Sequence, residues 1–320
     1  MTAVARILIT TDYLRPGDEV DDLLRSRGHE TRYPSGDLVA DLAGVEGALV
    51  GHDPLTAEVL ASADRLRAVV RTGVGYDAID VEAAARAGVT VSNLPGINAN
   101  AVAEYTLGLL LAASRRLVES AAGVASGGWP RADGRELRGT TLGLIGYGAA
   151  ARAVVPLARA FGMSVLCTTS VPEAERTDPD VRFVELPELL AGADHVSVHT
   201  ALTPRTRGLL DAAAFAQMRP GAVLVNTARG AIVDEAALAA AVRDGRIAGA
   251  ALDVVAEEPL PAESPLRGVP GIVVHSHLAG QSAQARRAAG LEGARELLRA
   301  LAGSPEHAVN AHLIEERDNR

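Results

Sequence analysis

Residues 140–162, TTLGLIGYGAAARAVVPLARAFG, constrain the fold more than any other stretch of this chain. An apolar, strand-like run ends at Gly146 and Gly148, and a helical pattern follows at once. Strand, glycine turn and helix in that order is the context in which a glycine motif points to nucleotide binding. Gly146 allows the tight turn, and Gly148 lets backbone approach a pyrophosphate at the helix N-terminus. Ala151 stands where a third glycine often sits, an accepted variant for close helix packing. Yet the motif begins almost halfway along 320 residues, so another unit must occupy the first 140 or so.

That earlier segment alternates short β-rich runs with helical patterns. RILIT (6–10), HETRY, GALVG (47–51), RAVVRTG (67–73) and VTVSN read as strands. Residues 18–26 form an amphipathic helix closed by Gly28, and VEAAARAG (81–88) is a helix with a glycine stop. Such alternation predicts a parallel sheet covered by helices. A long helix is expected over 98–120, broken at ASGGWP and bridging the two units. Beyond the glycine turn, VLCTTS, HVSVHT, AVLVNTARG and GIVVHSH read as strands, and 285–302 as a closing helix.

Composition narrows the chemistry. A formal charge of −9 argues against nucleic acid or an anionic membrane as partner. No apolar run is long enough for a membrane span, and the start, MTAVARILITTDY, is too short in apolar residues for a signal peptide. With the single cysteine, Cys167, excluding a disulfide framework and a multi-cysteine metal site, a cytoplasmic protein without a metal centre is expected. Lysine is absent, and all 31 cationic side chains are arginine. A P-loop lysine, a Schiff-base lysine and a Tyr-x-x-x-Lys centre are therefore impossible.

An acidic residue is expected at the end of the strand after the glycine turn, to hold the ribose 2′-hydroxyl of NAD. Thr168, Thr169 and Ser170 stand there instead, and no arginine follows directly. The choice between NAD and NADP stays open on this reading.

Three later stretches, VNTARGAIVDEAAL (225–238), GAALDVVAEEPLP (249–261) and HSHLAG (275–280), join with the glycine turn, GVGYDAID (73–80), LPGINANAVAE (94–104) and the GGW of 127–129. Together they resemble the D-isomer-specific 2-hydroxyacid dehydrogenases, over nearly the whole chain. The resemblance implies an α/β protein of two Rossmann-like or flavodoxin-like doubly wound parallel-sheet domains with a cleft between them. Residues 1–98, completed by 286–320, would bind substrate, and 99–285 would form the NAD(P)-binding Rossmann domain. The glycine turn begins mid-chain because the nucleotide domain is inserted into the other. A short form without a regulatory domain is expected, since the sequence stops soon after Asn310.

The resemblance also implies roles. Arg229 of the ARG tripeptide, Glu258 of the E-P pair and His277 before L-A-G would be catalytic. Cofactor contacts fall to Gly146, Tyr147, Gly148, Ala149, Thr168, Thr169, Thr206, Ala228 and Asp253, the last towards the nicotinamide carboxamide. Substrate contacts fall to Arg71, Val74, Gly75, Arg229 and His277. These residue types suit the chemistry: a guanidinium binds a carboxylate and polarises an adjacent carbonyl. An imidazolium supplies the proton that reduction of a keto group requires, and a neighbouring carboxylate orients it and favours its charged form.

Glu257 is the competitor of Glu258. His275 either approaches the site or packs in the core, and we read it as packed; the family usually has Thr-Pro where His275 and Ser276 stand. His195 and His199 are read as structural. Arg71 and Arg86 suggest a substrate with a second anionic group, such as 3-phosphoglycerate; solvated surface arginines are the plainer reading. The alternatives are a glyoxylate/hydroxypyruvate-type reductase, or a cofactor-sensing, corepressor-like binding protein. Apolar surface over 101–118, where family members pair, predicts a homodimer.

Overall fold

A strand followed by a helix returns to its sheet parallel to itself. Every strand pairing between the named strands of this chain is parallel. The structure, a computed structural model, describes residues 4–318 and divides into two units, 1–98 with 283–320 and 99–282.

The first unit carries β1 (Arg6–Ile9), β2 (Glu30–Arg32), β3 (Gly47–Val50), β4 (Ala68–Arg71) and β5 (Thr90–Ser92). They lie in the order β2-β1-β3-β4-β5, the flavodoxin-like arrangement. Between them run α1 (Glu19–Ser26), α2 (Leu38–Leu42), α3 (Ala57–Ser62) and α4 (Val81–Arg86). Each begins at a side-chain cap, Asp18, Asp37, Thr56 and Asp80 in turn, which accepts from the first-turn N–H groups. Two apolar layers, one around Ile7, Leu49 and Val70 and one around Leu8, Val50 and Val69, cover the two faces of the sheet.

The second unit carries α5 (Ala99–Ser114), α6 (Leu117–Ala125), β6 (Thr141–Ile145), α7 (Ala149–Ala160), β7 (Ser164–Thr168) and β8 (Val181–Phe183). It continues with α8 (Leu186–Gly192), β9 (His195–Val198), α9 (Ala212–Gln217), β10 (Val223–Asn226), α10 (Glu235–Arg243), β11 (Gly249–Leu252) and β12 (Ile272–Val274). The strand order is β12-β11-β10-β9-β6-β7-β8, which reverses between β6 and β9. In such sheets ligands bind beyond the carboxyl ends of the strands at that reversal.

The chain then returns to the first unit through α11 (Ala283–Leu301) and α12 (Ala311–Asp318). Two fully buried polar side chains fasten the return. Glu296 accepts from the N–H groups of Glu306 and His307, and Asn310 accepts from Val91 N and donates to Val89 O.

Several elements differ from the sequence reading. The helix expected over 98–120 is two helices, because the Ser114 carbonyl accepts from Arg135 N (2.8 Å) and Arg116 turns left-handed (φ 54°). Strand β11, Gly-Ala-Ala-Leu, escaped notice because its small residues have little strand preference. Strand β8 is only three residues long. Helix α11 starts at Ala283, two residues before the expected position.

Candidate active site

The glycine turn closes β6 against its neighbours. Gly146 N donates to Thr168 O (2.8 Å), and Gly146 has φ +100°. A Cβ there would lie 2.7 Å from the carbonyl oxygen of His199, so only glycine fits. Gly148 is the opposite case: a Cβ would meet nothing within 4 Å. It is also the N-cap of α7 and supplies no side-chain cap, which leaves the first N–H groups of that helix to an incoming anion. A pyrophosphate fits both features. Ala149 is the first residue of this helix. Tyr147 contributes to the turn through its main chain; its ring is buried edge-on to Phe183, and its hydroxyl donates to Asp178 (2.6 Å).

At the end of β7, Thr168 and Thr169 take the place of the missing acid. The Thr169 hydroxyl accepts from Val171 N (3.1 Å), and Arg176 folds back to donate to Thr169 O (3.3 Å) and Val171 O (2.8 Å). An arginine distant in sequence thus reaches this point. Beneath the turn, burial pushes the Cys167 thiol up to about 12. Thr206 lies in the loop after β9, where its hydroxyl donates to Ala201 O (2.7 Å) and accepts from Thr203 N (2.8 Å).

Strand β10 ends at Asn226, which is fully buried. Its Oδ1 accepts from Ala228 N (3.0 Å), and its Nδ2 donates to Arg229 O (2.9 Å). This closes the turn carrying Ala228 and Arg229. Gly230 follows against the backbone of the next loop: a Cβ there would come within 1.9 Å of the Val255 carbonyl carbon. The arginine turn therefore packs directly on the segment that leads to Glu258.

Asp253, just past β11, is 1% exposed. One carboxylate oxygen accepts from Leu278 N and the other from Ala279 N, both at 2.8 Å, and its main-chain oxygen accepts from His277 N (2.8 Å). His277 has φ 58°, a left-handed backbone that costs an L-residue about 1–2 kcal/mol. Two hydrogen bonds to an ionised acceptor, each contributing about 1.5–3 kcal/mol, outweigh that cost. The imidazole Nδ1 of His277 then lies 2.8 Å from Glu258 Oε2, while Glu258 Oε1 accepts from Val255 N (3.2 Å). With Nδ1 facing the carboxylate, Nε2 is the nitrogen left to exchange a proton.

His275 pairs through Nδ1 with the Tyr105 hydroxyl (3.0 Å), and its ring lies edge-on to that tyrosine. Burial raises the Tyr105 phenol, and the Asp253 carboxylate raises it further. His195 is buried in β9, and burial pushes it down to about 4. His199 Nε2 lies 2.9 Å from the Ser197 hydroxyl.

The remaining expected residues belong to the first unit. Arg71 ends β4, and its Nη2 lies 2.9 Å from His52 Nε2. The Arg71 guanidinium folds over Gly73, so close that a Cβ on Gly73 would collide with it at 1.5 Å. Asn93 donates to Val74 O (2.7 Å), and Gly75 follows in the same loop. Sequence reading missed His52 and Asn226. Asn226 lay within a stretch already quoted, but its partners are main-chain groups that no side-chain pattern announces.

Comparison with known proteins identifies the family. Residues 107–279 match the family described as D-isomer specific 2-hydroxyacid dehydrogenase, NAD binding domain. The D-3-phosphoglycerate dehydrogenase of Mycobacterium leprae is 43% identical over 77% of this chain but only 47% of its own length. The chain thus spans about half of that relative. The glyoxylate reductase of Aeropyrum pernix is 38% identical over 83% of this chain and 82% of its own. Among solved structures, the TT0316 protein of Thermus thermophilus is 38% identical with a TM-score of 0.87, covering 95% of this chain and 99% of its own. With its two parallel sheets, its glycine turn at the strand-order reversal and these matches, the chain belongs to the D-isomer specific 2-hydroxyacid dehydrogenase family.

Proposed function

We propose that this protein is an NAD(P)-dependent oxidoreductase that interconverts D-2-hydroxy acids and 2-keto acids. The observation that carries the reading is the 2.8 Å contact of His277 with Glu258, in a loop packed beside the turn of Arg229. The Arg229 guanidinium binds the substrate carboxylate and polarises the adjacent carbonyl. His277 donates a proton to the developing alkoxide through Nε2 in reduction, and accepts it in oxidation. Glu258 stabilises the charged imidazole and fixes its tautomer. The α7 N-terminus at Gly148 and Ala149 binds the cofactor pyrophosphate, with Thr168 and Thr169 beside the adenosine ribose. The nicotinamide, when bound, supplies or receives the hydride.

Arg71, with His52 beside it, supports a substrate carrying a second anionic group, such as 3-phosphoglycerate. A small keto acid of the glyoxylate or hydroxypyruvate type is the second reading, favoured by the match along 82% of the glyoxylate reductase. The test is a panel of 2-keto acids, including phosphohydroxypyruvate and glyoxylate, with NADH and NADPH, on wild type and Arg71→Ala. A lost anion contact should raise KM for the phosphorylated substrate about tenfold or more, with little effect on glyoxylate. Equal effects would favour the small substrate, and no turnover of any 2-keto acid would refute the enzyme reading.

A homodimer is part of the same proposal, but the apolar residues expected to pair over 101–118 are largely buried in the core of their own unit, so the interface is placed on α6. No residue of that helix is buried, and Leu117, Val118 and Val124 are exposed together with Trp129, which is 78% exposed. Apolar surface of this kind marks an interface. A cytoplasmic location accords with one buried free cysteine.

A further inference from the structure

The two groups proposed to act directly on substrate, Arg229 and His277, sit in two turns, and each turn is closed by one buried polar side chain. Asn226 ends β10 and closes the Arg229 turn through its Oδ1 and Nδ2. Asp253 follows β11 and closes the His277 turn through both carboxylate oxygens and its main-chain oxygen. The two strands are neighbours in register, Asn226 opposite Leu252, and Asp253 N donates to Asn226 O (2.9 Å). A single backbone hydrogen bond thus joins the two closures.

We propose that Asn226 and Asp253 are a coupled pair of positioning residues that set Arg229 and His277 as one unit. This rests on the dehydrogenase reading. The residue types fit the roles. An amide offers one acceptor and one donor on a rigid plane, as a turn with one N–H and one C=O demands. A carboxylate is acceptor-only, as two converging N–H groups demand. Asn226→Asp would set a negative oxygen against the Arg229 carbonyl. Asp253→Asn would set an NH2 against a main-chain N–H. Each exchange keeps the volume and alters only the hydrogen-bonding type, so its effect reports turn geometry rather than packing. The proposal gives Asp253 a second role beside the cofactor contact that the resemblance implies: its carboxylate acts on catalysis through the His277 backbone.

Two arms test this. The first needs no activity. In the wild-type protein, native-state hydrogen exchange should find the Ala228, Leu278 and Ala279 amides slowed about 100-fold or more relative to unstructured peptide. Leu278 is the sharpest case, because its side chain is exposed while its amide donates to the Asp253 carboxylate. Rapid exchange at these amides would overturn the proposal, whether or not the variants fold.

The second arm combines calorimetric NADH binding with steady-state reduction of hydroxypyruvate. Asn226→Asp should raise KM about tenfold or more, because Arg229 holds the carboxylate, while NADH affinity stays within about twofold. Asp253→Asn should lower kcat about tenfold or more and shift the pH profile, with KM nearly unchanged and any loss of NADH affinity smaller than the loss of kcat. A purely structural role would lower Tm but leave KM, kcat per folded molecule and the pH profile alone, and that result would overturn the proposal. So would an Asp253→Asn defect confined to NADH affinity, which would leave the residue as a cofactor contact alone. A wild-type protein that binds NADH but reduces no 2-keto acid would fail the dehydrogenase reading and the positioning roles with it. The exchange arm alone separates that failure from failure of the frame.

Discussion

Replacing Glu258 by Gln keeps the size and hydrogen-bonding reach of the side chain and removes its charge. Gln can still accept from His277 Nδ1, so the tautomer survives and only the stabilisation of the imidazolium is lost. The contact is 2.8 Å, but the side chains are 29% and 39% exposed, so solvent screens much of the attraction. A pair at this exposure contributes about 1 kcal/mol or less. The sign follows from which form reacts. Reduction needs protonated His277, and without the carboxylate that form is lost at lower pH, so the alkaline limb moves to the acid side. Oxidation needs the neutral imidazole, which now persists to lower pH, so its acid limb moves the same way. The assay is kcat/KM against pH in both directions for wild type and Glu258→Gln, with His277→Ala as the variant that should be inactive at every pH. An unshifted limb in an active Glu258→Gln enzyme would refute the pairing, and Glu257 would be the next acid to replace.

Gly148→Val should abolish NADH binding while Tm stays near wild type, because the new side chain meets no protein atom within 4 Å at its Cβ; unchanged affinity measured by fluorescence titration would remove the glycine turn from the argument. Thr169→Asp should lower NADPH affinity more than NADH affinity, and a wild-type protein that already rejects NADPH by orders of magnitude would contradict the neutral-pocket reasoning. Buried His195 resists protonation down to about 4, whereas the unfolded chain takes up that proton near the ordinary histidine value of 6.5. Folding stability should therefore fall as pH drops through that window, by at most about 3 kcal/mol from this residue, and urea titrations should show the slope diminished in His195→Asn. Sedimentation at micromolar concentration should give a dimer, and Trp129→Glu, which sets a charge on the exposed α6 side of the unit, should shift it towards monomer.

Much of the fold could be read before any coordinates, because strand and helix leave different periods in the sequence. Runs such as RILIT and GALVG are apolar at their centres without alternation, as strands covered on both faces must be, and helices separate them. That alternation implies parallel sheets, and the structure has two. What escaped was set by tertiary hydrogen bonding or by weak local preference. Nothing in LLLAASRRLVES says that the Ser114 carbonyl is taken by Arg135, so the pattern ran on through the break between α5 and α6. Strand β11 holds its place through pairing with β10 and β12 on either side, and its residues alone would form a helix as readily.

The site divides along the same line. Residues proposed to carry the reaction, such as Arg229, Glu258 and His277, come in long stretches whose order is characteristic of a family, so a resemblance can name them. The contact of Glu258 with His277 spans 19 residues and depends on where two loops land. Those landings are fixed by Asn226, Asp253 and Gly230, whose partners are backbone groups. A backbone N–H looks the same at every position in a sequence, so nothing marks which one a buried amide or carboxylate will hold. Arg176 makes the point from the other side: no arginine follows Ser170 directly, yet the chain folds Arg176, six residues on, onto the Thr169 carbonyl. Sheet register, rather than motif, decides which polar groups share a turn. In this chain the register places Asn226 beside Leu252 and its successor Asp253, and so ties the arginine turn to the histidine turn.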